Sequence, residues 1–476
     1  MSKYLPQFMQ GVITVVVSLV TLLLMTYVDL NSNDITYFLC VLNVLFFIIQ
    51  FCVLLYRTQY LFHPLSLFSI FLYLFSSGQI ILKIIGIESE RFSIFNRLET
   101  SSLNMAIVFI TICYAFFQMG ILIGYKPILP NFNDLLRYDL KKDITLYHVG
   151  GLLLLIGVVP FTVQLINNLQ VVLGSGYRSY YQEGVRLSNI FTGLSYYFYV
   201  GLIFIACSSF SKRYTKVCFF VLVFISGLRF VSGDRGDGLI LLFCSFFIYL
   251  FFIKRSKFSL KQVFVIFVFV PFVTPIVDVW RNTIGSQDSF YNTLKQTLSD
   301  SNAYVLTLEN LGGTLYPLGK LIGLFPDYFQ YTGGRTYLAS LFYIIPSVFR
   351  FGILDTINNN LMYSSPANWL QQNLKLSYGQ GFSPFAEMYM NFGFISIFFM
   401  MIFGYIITKV FLTNFRFTSK NCNIAIMIVI FFLFSMSARG SSNFMISFYI
   451  RYTLVPVVIY NFVKGGTNNE RNTVRG

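Results

Sequence analysis

The stretch SGDRGDG, residues 232–238, places one arginine and two carboxylates between two strongly apolar runs. Asp234 could accept a proton, and Arg235 could bind an anion. The Arg-Gly-Asp tripeptide of cell adhesion is a weak explanation, because three residues recur by chance. The stretch predicts a hairpin tip whose charges either take part in chemistry or form a self-satisfied Asp–Arg–Asp cluster that holds the turn.

Seven other arginines flank or interrupt apolar runs. The planar guanidinium binds phosphate oxygens in bidentate fashion, so several arginines together favour an anionic lipid headgroup such as a pyrophosphate. For each one, the alternative is a charge at the membrane surface that pairs with a lipid phosphate or an acidic residue. The candidate binding residues are Arg178, Arg186, Arg229, Arg281, Arg335, Arg439 and Arg451.

One further carboxylate, Glu387, lies in YGQGFSPFAEMYMNFGF at the start of an apolar run. A carboxylate at the edge of a membrane is a candidate general base. Asn391 follows four residues later on the same helical face, and both Asn391 and Tyr389 are candidate substrate-binding residues. The alternative is that Glu387 pairs with an arginine such as Arg451.

The elements that must position these residues are membrane helices. The chain has 476 residues, of which 56% are hydrophobic and 11% charged, and that balance is typical of a polytopic membrane protein. Twelve apolar runs approach the ~20 residues that a helix needs to cross a bilayer, and they predict an all-α fold. The runs are 8–29, 36–56, 62–82, 103–124, 145–168, 189–209, 217–231, 239–253, 259–278, 387–409, 423–438 and 443–463.

We expect one integral membrane domain over residues 1–476. A loop at 279–386 would cap a cavity on the outer face, and 464–476 would form a short cytoplasmic tail. When both termini are placed in the cytoplasm, the whole net charge of +15 falls on the cytoplasmic side. The basic balance therefore indicates membrane topology and not nucleic-acid binding.

This orientation puts SGDRGDG at the outer face. The runs on either side of it have roughly 15 residues each and would cover about 22 Å of a hydrocarbon core about 30 Å thick. We therefore expect the tip, together with Arg229, to lie below the outer surface. Polar backbone at that depth must line a cavity, and charges there are usually functional.

Cysteine and histidine are scarce in positions that suit chemistry. The seven cysteines lie in or beside apolar runs, so we expect no disulfide framework, no metal site and no cofactor. The two histidines, His63 and His148, both fall on the cytoplasmic side, where an interfacial polar role suffices.

Three segments in this order resemble the Wzy-type O-antigen and oligosaccharide repeat-unit polymerases. They are the GDRGDG hairpin, GGRTYLASLFYIIPSVF in the outer loop, and GFSPFAEMYMNFGF at the start of a span. The resemblance is best from about residue 225 to 460. Within it, the pattern Glu-x-Tyr-x-Asn-Phe-Gly matches Glu387, Tyr389, Asn391, Phe392 and Gly393.

The resemblance implies a bacterial inner-membrane glycosyltransferase that joins repeat units carried on undecaprenyl pyrophosphate at the periplasmic face. Arginines would stabilise the pyrophosphate leaving group, and Glu387 or Asp234 would take the acceptor's proton. Tyr328, Tyr331 and Tyr337 could stack on sugar rings, although each could also be an ordinary interfacial aromatic. The expected partners are lipid-linked glycans, membrane lipid, a chain-length regulator and a flippase.

Two other functions compete with this interpretation. An O-antigen ligase would, by family resemblance, carry a histidine in its outer loop, and this chain places none there. A lipid-linked oligosaccharide flippase or other transporter would show paired broken helices in two halves and cationic residues along the midplane. Here the arginines gather at the outer face, with Arg451 the exception.

Overall fold

The computed structural model describes residues 4–27, 30–87, 93–125, 140–175, 189–232, 234–257, 259–284, 289–300, 302–345, 352, 356–357, 359–376, 381–412 and 418–473. Every regular element in these ranges is a helix, which confirms the prediction of an all-α fold.

The helices are numbered in chain order. The first nine are α1 (Leu5–Tyr27), α2 (Asn33–Thr58), α3 (Pro64–Ile84), α4 (Thr100–Gly124), α5 (Ile144–Ser175), α6 (Asn189–Cys207), α7 (Lys212–Val231), α8 (Arg235–Ile248) and α9 (Leu260–Thr283). The predicted outer loop contains α10 (Phe290–Asp300), α11 (Ala303–Leu311), α12 (Leu315–Leu324), α13 (Arg335–Phe342), α14 (Leu361–Ser364) and α15 (Pro366–Asn373). The last are α16 (Pro384–Phe392), α17 (Ser396–Phe411), α18 (Lys420–Ser437), α19 (Ser442–Tyr449) and α20 (Val455–Thr473).

Four short irregular helices connect some of these elements. Turns of 3-10 helix lie at Gly312–Thr314 and Gly393–Ile395, and π-helical turns lie at Tyr249–Lys254 and Ile450–Leu454. Residues that were predicted as a polar tail continue α20 as far as Thr473. The stretch TYLASLFYIIPSVF of the predicted outer loop contains most of α13.

Ten helical segments among the described residues are long and apolar enough to cross a membrane, and Phe191–Cys207 is a shorter apolar helix. The chain is therefore a multi-pass membrane protein. Each of the twelve apolar runs coincides with helix. Twelve as the number of crossings, and the cytoplasmic position of both termini, stay predictions.

Several helices begin at side chains that satisfy their first amide groups. Ser211 accepts a hydrogen bond from the Arg213 amide at 3.2 Å, and Ser259 forms a reciprocal capping box with Gln262. The buried His63 accepts from the Leu65 amide through Nδ1 at 3.2 Å, and Pro64 takes the first position of α3. His63 is therefore a helix cap in the structure.

The chain divides into two compact units, and each is described by itself. Unit 1 comprises Met1–Phe132, Val305–Leu412 and Ser437–Ser447. Unit 2 comprises Asn133–Tyr304, Thr413–Met436 and Phe448–Gly476.

In unit 1, α4 packs closely on α17 through glycines. A Cβ added at Gly120 would lie 1.9 Å from the Met401 carbonyl oxygen, and one at Gly404 would lie 2.1 Å from the Phe117 carbonyl oxygen. Small residues of this kind let membrane helices approach backbone to backbone. A larger side chain at either glycine would push the two helices apart.

Part of the predicted outer loop is fixed to α3 within unit 1. A Cβ added at Gly312 would lie 2.2 Å from the backbone nitrogen of Gln79. The Gln79 side chain donates to the Glu309 carbonyl at 3.3 Å and accepts from the Ile94 amide at 3.0 Å. Thr314 Oγ1 donates to the Phe75 carbonyl at 2.7 Å. Residues 309–314 are thereby part of the helical bundle.

In unit 2, α5 and α6 pack through glycines and aromatic rings. A Cβ added at Gly157 would lie 2.2 Å from the backbone nitrogen of Phe198. The rings of Phe161 and Phe198 stack at 4.2 Å between centroids. This contact fixes the face of α6 that carries Tyr199.

The hairpin around SGDRGDG also lies in unit 2, and its helices are longer than predicted. α7 has 20 residues, and α8 has 14 residues followed by six residues of π-helix. Each arm covers about 30 Å, so the argument that short helices hold the tip below the outer surface is wrong. The apolar runs were too short because the polar residues 212–216 and 235–238 are helical.

Candidate functional site

Ten of the twelve predicted site residues lie in the described ranges. Arg178 and Arg186 lie outside the described residues. Unit 2 holds Arg229, Asp234, Arg235, Arg281 and Arg451, and unit 1 holds Arg335, Glu387, Tyr389, Asn391 and Arg439. The backbone of Arg235 opens α8, and its side chain is outside the described part of the structure.

In unit 2, the hairpin cluster consists of Tyr199, Arg229, Asp234 and Asp237. Arg229 is 4% exposed and donates through Nε and Nη2 to the Tyr199 hydroxyl at 3.0 and 2.9 Å. Arg229 Nη1 lies 3.8 Å from Asp234 Oδ2. A buried guanidinium needs such partners, because an unpaired buried charge is costly. Among the described side chains, Arg229 is thus an arginine that pairs with Asp234.

Asp234 is the accessible member of the hairpin cluster. Its side chain is 42% exposed, against 5% for that of Arg229. The carboxylate caps α8 by accepting from the Asp237 amide at 3.4 Å, and such a cap suits the positive end of the helix dipole. One oxygen pairs with Arg229 while much of the carboxylate stays open, so Asp234 can meet another molecule.

Glycine allows the two arms of the hairpin to approach. A Cβ added at Gly238 would lie 2.8 Å from the ring of Phe230. The Ser226 hydroxyl donates to the Gly238 carbonyl at 2.6 Å. These contacts place the first turn of α8 against the last turns of α7.

Arg281 belongs to the last turn of α9, and not to a loop after it. The neighbouring Trp280 donates through Nε1 to the Val231 carbonyl at 2.9 Å, at the end of α7. Arg281 Nη1 lies 3.6 Å from Asp278 Oδ1. The structure therefore brings Arg281 near the hairpin tip, already paired with an acid.

Arg451 lies in the π-helical turn Ile450–Leu454. Its carbonyl accepts from the Tyr197 hydroxyl at 3.2 Å, and the Tyr452 hydroxyl donates to the Gly193 carbonyl at 2.7 Å. Tyr197 and Tyr199 both belong to α6, so this helix connects the Arg451 segment with the hairpin cluster. π-helical turns are frequent at functional sites.

In unit 1, the Glu387 cluster consists of Thr336, Glu387, Asn391 and Ser442. Glu387 is 1% exposed. Its Oε1 accepts from the Thr336 hydroxyl at 2.7 Å and the Ser442 hydroxyl at 2.6 Å, and its Oε2 accepts from the Ser442 amide at 2.6 Å. One carboxylate thereby joins α13, α16 and α19.

Asn391 extends the Glu387 cluster to the turn before α13. Its side-chain amide donates to the Thr336 hydroxyl at 2.8 Å, and its oxygen accepts from the Gly334 amide at 2.9 Å. Gly334 has φ +86°, a left-handed conformation that favours glycine. The expectation that Glu387 and Asn391 share a face holds, since the Asn391 amide also donates to the Glu387 carbonyl at 2.8 Å.

Two predicted arginines lie beside this cluster along the chain. Arg335 precedes Thr336; it is exposed and donates through Nη1 to the Tyr363 hydroxyl at 2.9 Å. Arg439 lies three residues before Ser442. A Cβ added at Gly381 would lie 3.1 Å from Arg439 Nε, so the two residues are in close contact. The Glu387 cluster therefore fixes the segments that carry both arginines.

Two aromatic residues of unit 1 are held by packing. Tyr389 is 3% exposed and meets Phe109 edge-on at 5.2 Å between centroids. Tyr337 stacks on Phe392 at 6.3 Å. Burial raises the pKa of the Tyr337 phenol well above its ordinary value, and the Glu387 carboxylate raises that pKa further.

Sequence reasoning missed three residues that complete these clusters: Tyr199, Thr336 and Ser442. A hydroxyl on an apolar helix carries no signal of its own. The pairs are also distant in sequence, since Glu387 lies 51 positions after Thr336 and 55 positions before Ser442. Among the described residues, no group of three or more His, Cys, Asp or Glu side chains could hold a metal ion.

The fold and the two clusters define an all-helical, multi-pass membrane protein with buried, hydrogen-bonded charges. Residues 12–468, nearly the whole chain, match the family described as O-antigen polysaccharide polymerase Wzy. The chain belongs to that family. Comparison with curated proteins and with solved structures finds no match.

Proposed function

We propose that this protein polymerises oligosaccharide repeat units, each carried on undecaprenyl pyrophosphate, into O-antigen or a similar surface polysaccharide. The reaction would take place at the periplasmic face of the bacterial inner membrane. Family membership over residues 12–468 supports the polymerase activity. The charge distribution supports the orientation, since the net +15 falls on the side assigned to the cytoplasm.

The proposed step is a glycosyl transfer. A hydroxyl at the non-reducing end of the acceptor unit attacks the anomeric carbon of the donor glycan. The new glycosidic bond forms as the bond to pyrophosphate breaks, undecaprenyl pyrophosphate leaves, and the hydroxyl proton passes to a carboxylate. Negative charge grows on the leaving group, and preorganised arginines stabilise it.

The observation that carries this proposal is the accessible Asp234 carboxylate beside the buried Arg229. Asp234 is 42% exposed on its side chain and is held by its cap and its ion pair. A general base must come within hydrogen-bond reach of the proton that it removes, and Asp234 has an open side for that. Arg235 and Arg281, near the same hairpin tip, are proposed to bind the pyrophosphate.

For Glu387 we propose a positioning role. Its carboxylate accepts three hydrogen bonds and is 1% exposed, so its acceptor positions are directed at Thr336 and Ser442. Through these contacts it sets the segments that carry Arg335 and Arg439. Those two arginines would bind anionic groups of the lipid-linked substrate.

The test is a gene deletion followed by gel analysis of the surface polysaccharide. The deletion strain is expected to lose the ladder and to keep a band of core plus one repeat unit, because single units are still flipped and ligated. Loss of the single-unit band as well would indicate a flippase or a ligase and would overturn the polymerase assignment.

Complementation then tests the hairpin tip. Wild type should restore the ladder, and Arg235→Ala and Asp234→Asn should not, at equal amounts of protein in the membrane. Arg213→Ala is the matched control, because Arg213 is an exposed arginine at the end of α7 far from the hairpin tip. A full ladder from Arg235→Ala and Asp234→Asn would remove both residues from the mechanism.

A further inference from the structure

A group of aromatic rings in unit 1 plays no part in either cluster. It consists of Phe325, Phe329, Tyr331 and Trp369, together with the adjacent Tyr328, and is termed the aromatic platform. Trp369, on α15, meets Phe329 edge-on at 5.0 Å and Phe325 at 6.1 Å between centroids. Phe325 in turn stacks with Tyr331 at 5.8 Å.

The platform has a rigid base. Phe325 is 2% exposed, and Tyr331 meets the buried Tyr389 edge-on at 6.0 Å. A Cβ added at Gly393 would lie 2.7 Å from the Tyr331 ring, so the glycine makes room for that ring. Interlocked aromatic pairs hold each other's orientation, and the rings of Tyr331 and Trp369 are therefore held in fixed orientations.

Part of the platform is exposed, and the segments that carry it also carry exposed polar side chains. Tyr328 is 76% exposed and Tyr331 37% exposed, and Trp369 is half-buried. Exposed polar side chains on the same two segments are Asp327, Gln330, Asn368 and Gln372. Three of these four are uncharged amides, and a side-chain amide both donates and accepts hydrogen bonds.

We propose that the aromatic platform is a binding site for the oligosaccharide part of the substrate. The apolar C–H face of a pyranose ring fits flat against an aromatic ring, while its hydroxyls need neighbours that both donate and accept. Rigid rings, with exposed amides and one carboxylate on the same two segments, supply both. The proposal rests on the proposed function, since it takes the glycan to be that of the lipid-linked repeat unit.

Membrane lipid is the competing occupant, because tyrosine and tryptophan also gather where bilayer meets water. The polar side chains on the two segments favour the glycan. Exposed amides and a carboxylate can bond with the hydroxyls of a sugar, whereas a lipid acyl chain offers them no hydrogen bond.

Tryptophan fluorescence tests the proposal directly, because the chain has two tryptophans, Trp280 and Trp369. The purified full-length protein in nanodiscs is titrated with the repeat-unit oligosaccharide released by mild acid from the polysaccharide of the same strain. Wild type should show a saturable change in emission, and Trp369→Phe should not. In Tyr328→Ala the half-saturation concentration should rise about fivefold or more, because one stacked ring is lost.

Tyr27→Ala is the control, since Tyr27 is another tyrosine of unit 1 and is 83% exposed. It should bind the oligosaccharide as wild type does. Absence of a saturable change in wild type, or equal binding by Tyr328→Ala, would overturn the proposal. Strong quenching of the Trp369 signal by brominated lipid, with no response to oligosaccharide, would assign the platform to the membrane interface.

The titration and the gel assay fail independently. If the deletion strain loses its ladder but the oligosaccharide does not bind, the platform proposal is wrong and the polymerase assignment stands. If the oligosaccharide binds but deletion leaves the ladder intact, the polymerase assignment is wrong.

Discussion

At the scale of single residues, a substitution of Glu387 distinguishes a positioning role of this residue from a catalytic one. Glu387→Gln replaces one carboxylate oxygen by an amide group that cannot accept, so the Thr336 and Ser442 hydroxyls must reorient and the hydrogen bonds lose their charge assistance. We expect a loss of about 1–3 kcal/mol in folding free energy. Thermal unfolding in detergent and protein abundance in membranes measure it.

The matched variant for Glu387→Gln is Ser340→Ala. Ser340 lies near the same cluster, but its hydroxyl bonds with the Ser442 hydroxyl at 3.0 Å and the Thr336 carbonyl at 2.9 Å rather than with the carboxylate. It should lower the unfolding temperature less. A Glu387→Gln protein with wild-type stability and no polymer would instead support Glu387 as a general base.

Tyr199 is expected to matter through Arg229. Tyr199→Phe removes the oxygen that accepts two hydrogen bonds from the buried guanidinium and leaves it beside the carboxylates of Asp234, at 3.8 Å, and Asp237. We expect shorter or fewer polysaccharide chains and a loss of about 1.5–3 kcal/mol in stability. Tyr214→Phe, at a tyrosine that is 43% exposed, should leave both the ladder and the unfolding temperature unchanged.

His63 predicts a pH dependence of stability. Burial lowers its pKa to about 3, whereas an unfolded histidine titrates near about 6.5. Below that pH the unfolded state binds a proton that the folded state excludes, so stability falls as pH drops from ~6.5 toward 3, by up to about 1.4 kcal/mol per pH unit. His63→Asn keeps a capping oxygen and should lose less of its unfolding temperature between about pH 7.5 and 5.5. An equal loss in both proteins would contradict the assignment.

At the scale of helices, the glycine contacts between α4 and α17 should tolerate no side chain. In Gly120→Val the new Cβ would lie 1.9 Å from the Met401 carbonyl oxygen. Because the two helices cannot pack with that overlap, we expect almost no folded protein in the membrane. Gly151→Ala is the matched control, because nothing lies within 4 Å of its Cβ position. Normal abundance of Gly120→Val would show that these helices do not pack as described.

Helix positions were predictable and their contacts were not. Each apolar run coincides with helix, because the bilayer demands a length and a composition that sequence displays. The hairpin arms were underestimated, since the polar residues 212–216 carry no apolar signal although Ser211 caps them into α7. Gly312 and Gln79 are far apart in the chain, and neither residue type predicts which residue it will contact.

The candidate site was predictable in the same partial way. Asp234 and Glu387 stand out as carboxylates beside apolar runs, and the structure places each in a hydrogen-bonded cluster. Their partners Tyr199, Thr336 and Ser442 are common residue types in membrane helices, and spacing alone does not single them out.

At the scale of the whole molecule, orientation is the property to measure. Tyr328→Cys should react with a membrane-impermeant maleimide added from the periplasm of intact cells, and Lys257→Cys should react only after the membrane is opened. The parent protein is the control for background labelling, because one of its seven free cysteines, Cys52, is exposed and could itself react. The reverse pattern would invert the topology predicted from the lysines and arginines.

The order of the segments in unit 1 also bears on biosynthesis. Its first segment ends at Phe132, and the next begins at Val305. At roughly 5–20 residues per second, the ribosome needs on the order of ten seconds or more to synthesise the residues between these two segments. During this time α1–α4 lie in the membrane without the later segments of unit 1. Glu387 is then made before Ser442, so its carboxylate also precedes its donor. A chain that stops before residue 442 would leave that carboxylate without two of its three donors.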